Sequence, residues 1–217
     1  MAPVVRLLEH PTDDQVEQSV ALVIRAFTGD LSLIAMTGGN TDLQAPLFRS
    51  MLRACAVEGS YYVVMDEESG AIHSVGGFFG PGQQVFTTEK QREQGWTQFF
   101  NSLPQPLHKW WNDLYLPLSE GELNKLLGDN YLNGWFANII ATDPPFQRRG
   151  YAASIIRAIF QRAASEEKPV SLATQTEENC LWYQSLGFKE LGKITIPADS
   201  EGGAGSWPFY ILTWESP

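Results

Sequence analysis

The part of the chain with the clearest chemical content is Ile140-Ala141-Thr142-Asp143-Pro144-Pro145-Phe146-Gln147-Arg148-Arg149-Gly150-Tyr151-Ala152-Ala153. An apolar run ends at Thr142, two prolines stiffen the exit, and a helical pattern opens near Gly150. A strand-to-helix turn of this kind aims the unsatisfied N–H groups of a helix N-terminus at one spot above a strand end. Orphan donors and helix dipole both favour an anion there. Gly150 permits close approach of backbone to ligand, the small Ala152 and Ala153 keep side chains clear, and Arg148 and Arg149 add positive charge. The same residues also describe an ordinary turn with two solvated arginines, and spacing alone does not separate the two readings. Neither G-x-x-x-x-G-K-[ST] nor G-x-G-x-x-G is present, so this is neither a P-loop nor a dinucleotide fingerprint.

A second set follows in Asn179, Tyr183 and Gly187-Phe188. Asn179 falls in the first turn of a short helical segment and Tyr183 one turn later, which puts both on one face. A structural tyrosine with a satisfied hydroxyl is the plain alternative for Tyr183. Cys180 has no histidine or other base paired with it and reads as a buried structural thiol. Cys55 and Cys180 are far apart, and His10, His73 and His108 are scattered without ligand spacing, so no metal is expected and both thiols are read as reduced.

The elements that must position these residues can be read from periodicity. Residues 4–8 form a strand, and Thr12 with Gln15 forms a capping box ahead of a helix carrying Val16, Val20, Val23, Ile24 and Phe27 on one face. A helix over about 43–57 and strands over 61–65 and 71–79 follow, with Gly76-Gly77 and Gly80-Pro81-Gly82 punctuating the far end of the second strand. Residues 82–133 carry paired aromatics (Phe99-Phe100, Trp110-Trp111, Tyr115) and a helical run at 119–127. This stretch is too long for a plain loop and reads as a helical insertion whose aromatics either pack the core or wall a ligand site. Beyond it lie a strand over 135–142, a helix over 151–165, a strand over 170–174, a helix over 177–186, and strands over 188–196 and 207–214 joined by a Gly-rich link at 201–205.

In that order, Gln147-Arg148-Arg149-Gly150-Tyr151-Ala152 is similar to the Q/R-x-x-G-x-G/A acetyl-CoA motif of the GCN5-related N-acetyltransferase (GNAT) superfamily, and Asn179, Tyr183, Gly187 and Phe188 resemble its later Asn…Tyr…Gly-Phe pattern. The two motifs and the elements between and after them cover residues 135–214. Trp135-Phe136, Leu186-Gly187-Phe188 and the hairpin end look like the puromycin N-acetyltransferase branch. The resemblance implies one α/β (α+β) domain over 1–217. Its central, mixed and mostly antiparallel sheet of about seven strands would be flanked by helices, with the insertion (about 82–133) between strands 3 and 4 and an acetyl-CoA-binding core over about 135–190. It further implies that the pantetheine arm pairs with the backbone at Ile140, Ala141 and Thr142, and that a backbone N–H near Ile140 polarises the thioester carbonyl. The pyrophosphate would rest on the N–H groups of Arg148 to Ala153 next to Gln147, Asn179 would contact the cofactor, and Tyr183 would be the general acid for the departing CoA thiolate. Members with a Glu base on the core strand have no counterpart in residues 136–141, so the base is left open; Asp143 is assigned to capping the loop.

The activity so implied is acetyl transfer from acetyl-CoA to a primary amine of a small molecule, the long insertion favouring an enclosed pocket. Acetylation of protein lysines or N-termini, which needs an open groove, and a catalytically idle CoA-binding module are the alternatives. Composition narrows the partners. The chain of 217 residues has a net charge of −10, with 8 basic and 16 acidic residues in positions 1–134 and 7 and 9 in the rest. That acidity excludes a non-specific nucleic-acid binder and suits a cationic acceptor. Residues 1–15 lack an apolar signal core and no apolar run reaches membrane-spanning length, so a cytoplasmic protein without membrane contact is expected, as monomer or homodimer.

Overall fold

Thr12 opens the first helix as its spacing requires. Its Oγ1 accepts the Gln15 N–H (3.2 Å) and Gln15 Oε1 accepts the Thr12 N–H (2.9 Å), satisfying two orphan donors reciprocally. This computed structural model describes residues 4–198 and 205–216. Strand β1 (Val5–Leu7) leads to α1 (Asp13–Ala26), which buries Val16, Val20, Leu22 and Val23. A short α2 (Leu31–Met36), absent from the sequence reading, is capped by the Asp30 side chain and precedes α3 (Gln44–Glu58). Strands β2 (Ser60–Met65) and β3 (Ile72–Phe79) form a hairpin.

The inserted region is helical as expected, in short pieces: α4 (Glu89–Gln91), α5 (Thr97–Ser102), α6 (Gln105–Trp110), α7 (Leu116–Leu127) and α8 (Asn130–Asn133). Phe99, Trp110 and Trp111 are core residues, and both indole N–H groups are spent on backbone carbonyls, Trp110 on Pro197 (3.1 Å) and Trp111 on Met36 (3.0 Å). The insertion is thereby fastened to α2 and to the sheet. Then come β4 (Trp135–Thr142), α9 (Tyr151–Ser165), β5 (Val170–Thr174), α10 (Glu177–Ser185), β6 (Lys189–Pro197) and β7 (Ser206–Trp214). Of the Gly-rich link expected at 201–205, residues 201–204 lie outside the described residues.

The seven strands make one sheet in the order β1-β2-β3-β4-β5-β7-β6, and β4–β5 is its parallel pair. A parallel pair needs a crossover, which α9 supplies across one face. The sheet separates two apolar layers. One holds α1, α3, the insertion and much of β7; the other holds α9, α10, Trp135, Ala137, Val170 and Leu172.

Simple alternation along β4 would send Trp135, Ala137, Ile139 and Ala141 to one layer. The structure instead sends Trp135 and Ala137 to the α9 layer, and Ile139 and Ala141 to the α1/α3 layer. The cause is a β-bulge. Phe78 opposes Ala137 and Gly77 opposes Ile139, which leaves Asn138 as an extra residue and reverses the parity beyond it. Gly76 and Gly77 sit inside β3, opposite Ile140 and Ile139, and the strand continues past them to Phe79. A Cβ on Gly76 would lie 2.6 Å from Ile155 Cγ2 of α9, and one on Gly77 3.1 Å from Cys55 Sγ of α3. Their absent side chains let a helix approach each face at the bulge.

Gly76→Ala is therefore expected to destabilise the fold by about 1–3 kcal/mol through overpacking. Gly121→Ala, inside α7 with open space where its Cβ would lie, should stabilise it by about 0.5–1 kcal/mol. Urea midpoints of the two variants moving in the same direction would contradict this account.

Candidate functional site

Strands β4 and β5 pair only where Trp135, Phe136 and Ala137 face Val170, Ser171 and Leu172. Beyond that point β4 keeps β3 on one side, up to Thr142 opposite Ser74, and has no strand on the other. Residues 138–142, which include the predicted Ile140, Ala141 and Thr142, thus border an opening in the sheet. Part of the border is satisfied locally, Thr142 O accepting from Gln147 Nε2 (3.2 Å), while Ala141 O accepts from Ser74 Oγ (2.8 Å) on the β3 side. Asn138 at the apex has a side-chain Nδ2 that is closed off from solvent and has no hydrogen-bond partner.

The turn after β4 leads from strand to helix through left-handed residues. Residues Pro144–Phe146 make one 3-10 turn, Arg148 has φ +62°, and Gly150 has φ +81° immediately ahead of α9. The left-handed conformation at Gly150 carries no steric cost. The first backbone hydrogen bond into the helix is Ser154 N–H to Gly150 O (2.9 Å); among the described residues the N–H groups of Arg148, Arg149, Gly150, Tyr151, Ala152 and Ala153 have no backbone acceptor. Arg148 and Arg149 are exposed. Arg149 donates to Pro145 O (3.1 Å) and lies 5.1 Å from the centre of the Phe146 ring, which stacks on His73 at 3.7 Å.

Asp143 does not cap this loop with its side chain. Its backbone C=O accepts the Phe146 N–H (2.7 Å), while its carboxylate takes two hydrogen bonds from Arg25 of α1, at 2.9 and 2.7 Å. The carboxylate is nearly buried, whereas Arg25 is half in solvent. A charge-assisted pair is a better use of a buried carboxylate than a cap. It ties the loop to the first helix, and the Asp143 partnership raises the Arg25 pKa further.

In α10 the Thr176 hydroxyl caps the helix by accepting the Asn179 N–H (3.1 Å). Asn179 is exposed and Tyr183 only 9% exposed, so the shared face runs from solvent into the core. The Tyr183 ring packs 5.5 Å from Phe188 and 4.8 Å from Trp182. Burial alone pushes its phenol well above the usual tyrosine range, so the proton stays on at any physiological pH. Cys180 is buried, and its thiol is pushed up to about 11 by burial first and the Glu190 carboxylate next. It remains a neutral thiol, in line with a structural residue.

Sequence reasoning missed Asn138 and a group on the insertion side of β4. The Tyr131 ring meets Phe136 edge-on at 5.4 Å, and Trp110 stacks on Tyr115 at 5.2 Å. Burial raises the Tyr115 and Tyr131 phenols, Tyr131 to about 12. The Glu120 carboxylate adds to both shifts, and Asp30 adds to that of Tyr115. Among the described residues neither Asp30 nor Glu120 has an ion-pair partner. Tyr115 was visible in sequence as one of several aromatics; Glu120 was just another exposed helical acid. No group of three metal-ligating side chains occurs among the described residues, and no helix there is long and apolar enough to cross a membrane.

A sheet split after one parallel pair, with a crossover helix opening beside the split, is a specific architecture. The fold is that of the GCN5-related N-acetyltransferases. Solved structures align with it over nearly the whole chain. A Corynebacterium glutamicum protein described as "histone acetyltransferase HPA2 and related acetyltransferase" matches with TM-score 0.63 and 17% identity, covering 100% of this chain and 98% of that one. A yellow fever mosquito protein described as "insect putative arylalkylamine N-Acetyltransferase 7" matches with TM-score 0.66 and 15% identity over 97% and 86%. The Drosophila melanogaster polyamine N-acetyltransferase matches with TM-score 0.63 and 14% identity over 98% and 99%. No family model matches the chain, and no curated protein matches it by sequence.

Within the GNAT fold the Arg25–Asp143 pair holds the turn between β4 and α9. Arg25→Ala leaves a nearly buried carboxylate alone and should cost about 1–2 kcal/mol, lowering the melting temperature by about 3–6 °C. Asp143→Asn, whose former partner can return to water, should cost less. Equal melting temperatures for Arg25→Ala and the unaltered chain would show that the pair holds nothing.

Proposed function

We propose that the protein transfers the acetyl group of acetyl-CoA to a primary amine of a small cationic molecule. The observation that carries this reading is the juxtaposition of the open β4 edge with the unsatisfied N–H groups of Arg148 to Ala153. An acyl-CoA has an extended, amide-bearing arm suited to an open strand edge and a pyrophosphate suited to a helix N-terminus. The orphaned Nδ2 of Asn138 supports the fit, since an unpaired buried donor there awaits an acceptor. Ile140, Ala141 and Thr142 would hold the arm. Arg148, Arg149, Gly150, Tyr151, Ala152 and Ala153 would receive the pyrophosphate, with Gln147 bracing the turn against Thr142 and Asn179 reaching the cosubstrate from α10.

Acetyl-CoA supplies an activated acyl group as a thioester. The chain's task is to hold amine and thioester in attack geometry, which makes the step effectively intramolecular. The neutral amine attacks the acyl carbon, the C–S bond breaks, the nitrogen loses a proton to water, and the departing thiolate is protonated. We assign that last proton to Tyr183, whose phenol is kept neutral by burial, can hydrogen-bond to sulfur as negative charge develops, and regains its proton from the water that took up the amine proton.

For the acceptor, Asp30 and Glu120 with Tyr115 and Tyr131 form an acidic, aromatic surround on the insertion side of β4, complementary to an ammonium group. The mosquito arylalkylamine and fruit-fly polyamine enzymes named above are consistent with an acceptor of this kind.

The test is release of free thiol from acetyl-CoA across a panel of primary amines. Cationic amines should be accepted and anionic ones refused; tight acetyl-CoA binding without release by any amine would overturn the reading. Tyr183→Phe should lower kcat by about 10²-fold with little change in acetyl-CoA affinity, and unchanged kcat would remove its assigned role. Glu120→Gln should raise KM for a cationic amine by about 5-fold, roughly 1 kcal/mol, with kcat preserved.

A further inference from the structure

Four side-chain polar atoms among the described residues are shut off from solvent without a hydrogen-bond partner: Tyr61 Oη, Gln91 Oε1, Asn138 Nδ2 and Trp207 Nε1. Tyr61 and Trp207 lie inside the α1/α3 layer, and Gln91 spends its amide nitrogen on Glu58 (3.0 Å). Asn138 differs from them in position. It is the extra residue of the β4 bulge and the first residue of β4 after pairing with β5 stops, so it stands at the apex of the opening with its buried side-chain amide nitrogen unpaired. A buried donor left unpaired is destabilising, and native proteins keep few of them. Where one persists beside an unpaired strand edge, a bound ligand can supply the missing acceptor.

Resting on the acyl-CoA reading of that opening, we propose that the Asn138 side-chain amide donates a hydrogen bond to the acyl carbonyl oxygen of the bound thioester. The carbonyl is the acceptor that lies next to the reacting carbon. A donor aimed at it orients the acyl group in the ground state and strengthens as the oxygen takes up charge during attack. The amide carries no removable proton at working pH, so Asn138 directs the acyl group and leaves deprotonation of the amine to water. The bulge is what makes this possible: in unbroken alternation residue 138 would be held within a paired ladder.

The experiment compares two ligands by calorimetry: CoA, which lacks the acyl carbonyl, and a non-hydrolysable ketone analogue of acetyl-CoA, which keeps it. Asn138→Ala and Asn138→Leu, each removing the donor, should weaken the ketone analogue about tenfold, or ~1.4 kcal/mol, and leave CoA within about twofold. The free protein's melting temperature should be equal or higher in Asn138→Leu, because an unpaired donor has been removed. Asn138→Ser, retaining a donor, should recover part of the lost affinity. Equal weakening of both ligands, no weakening of either, or a large fall in free-protein stability in both variants would overturn the proposal. If the unaltered chain binds neither ligand, it is the acyl-CoA reading itself that fails.

Discussion

Backbone amides and carbonyls buried beside a sheet must find partners, and the structure is organised around one place where the sheet withholds them. Strand β4 runs antiparallel to β3 from Phe136 to Thr142, interrupted only by the bulge, but parallel to β5 for only three residues. Such an edge is a template for another extended chain. Covered by a further strand it would be ordinary sheet; left open in the middle of a seven-stranded sheet, it is a slot with a defined direction and register. The parallel pair also dictates the crossover helix. The chain leaving β4 must climb over the sheet to return as β5, which places the N-terminus of α9 at the mouth of the same slot.

Several contacts keep the slot from collapsing. Gly76 lets Ile155 bring α9 down onto β3, and Gly77 gives the same freedom to Cys55 on the opposite face. The bulge at Asn138 turns β4 between the two layers and begins where the pairing with β5 ends. Past Thr142, the Arg25–Asp143 pair, the His73–Phe146 stack and the Gln147–Thr142 hydrogen bond fasten the turn to α1, β3 and β4 in turn. All of these except the Gln147–Thr142 hydrogen bond join segments distant in sequence, so the slot is largely a product of tertiary packing.

That explains what could be read from the residues in advance. The boundaries of β4, α9 and β5 follow from local rules: an apolar run stopped by Asp-Pro-Pro, a periodic helix after Gly150, a short apolar strand. The capping box at Thr12 and the helix spacing of Asn179 and Tyr183 are equally local. The bulge is not, because an extra residue in one strand is defined only against its partner, and the Gly-Gly pair looks like punctuation until the partner is known. Asp143 was legible as a turn residue but not as the mate of Arg25, 118 positions away. The six residues of α2 were too few to show a period. Asp30, Glu120, Tyr115 and Tyr131 come from three separate segments, and no spacing in the chain links them.

The uneven charge acquires a physical meaning on the proposed reading. The two substrates carry opposite charge, and an enzyme using both must keep its binding fields from cancelling. Asp30 and Glu120, two of the acids of the first 134 residues, lie near Tyr115 on the insertion side of β4, while Arg148 and Arg149 stand at the opening of α9 beside the other layer. β4 is the partition between them. Phe136 turns toward Tyr131 on the insertion side, Ala137 toward the α9 layer, and Asn138 lies between. An ammonium drawn by Glu120 and Asp30 and a pyrophosphate drawn to the N–H groups of α9 would thus approach the strand from opposite sides. Apolar layers separate the two fields, and on that reading the bulge is where their cargoes would meet. A sheet without it would hold the same two binding regions and offer no side chain at their junction.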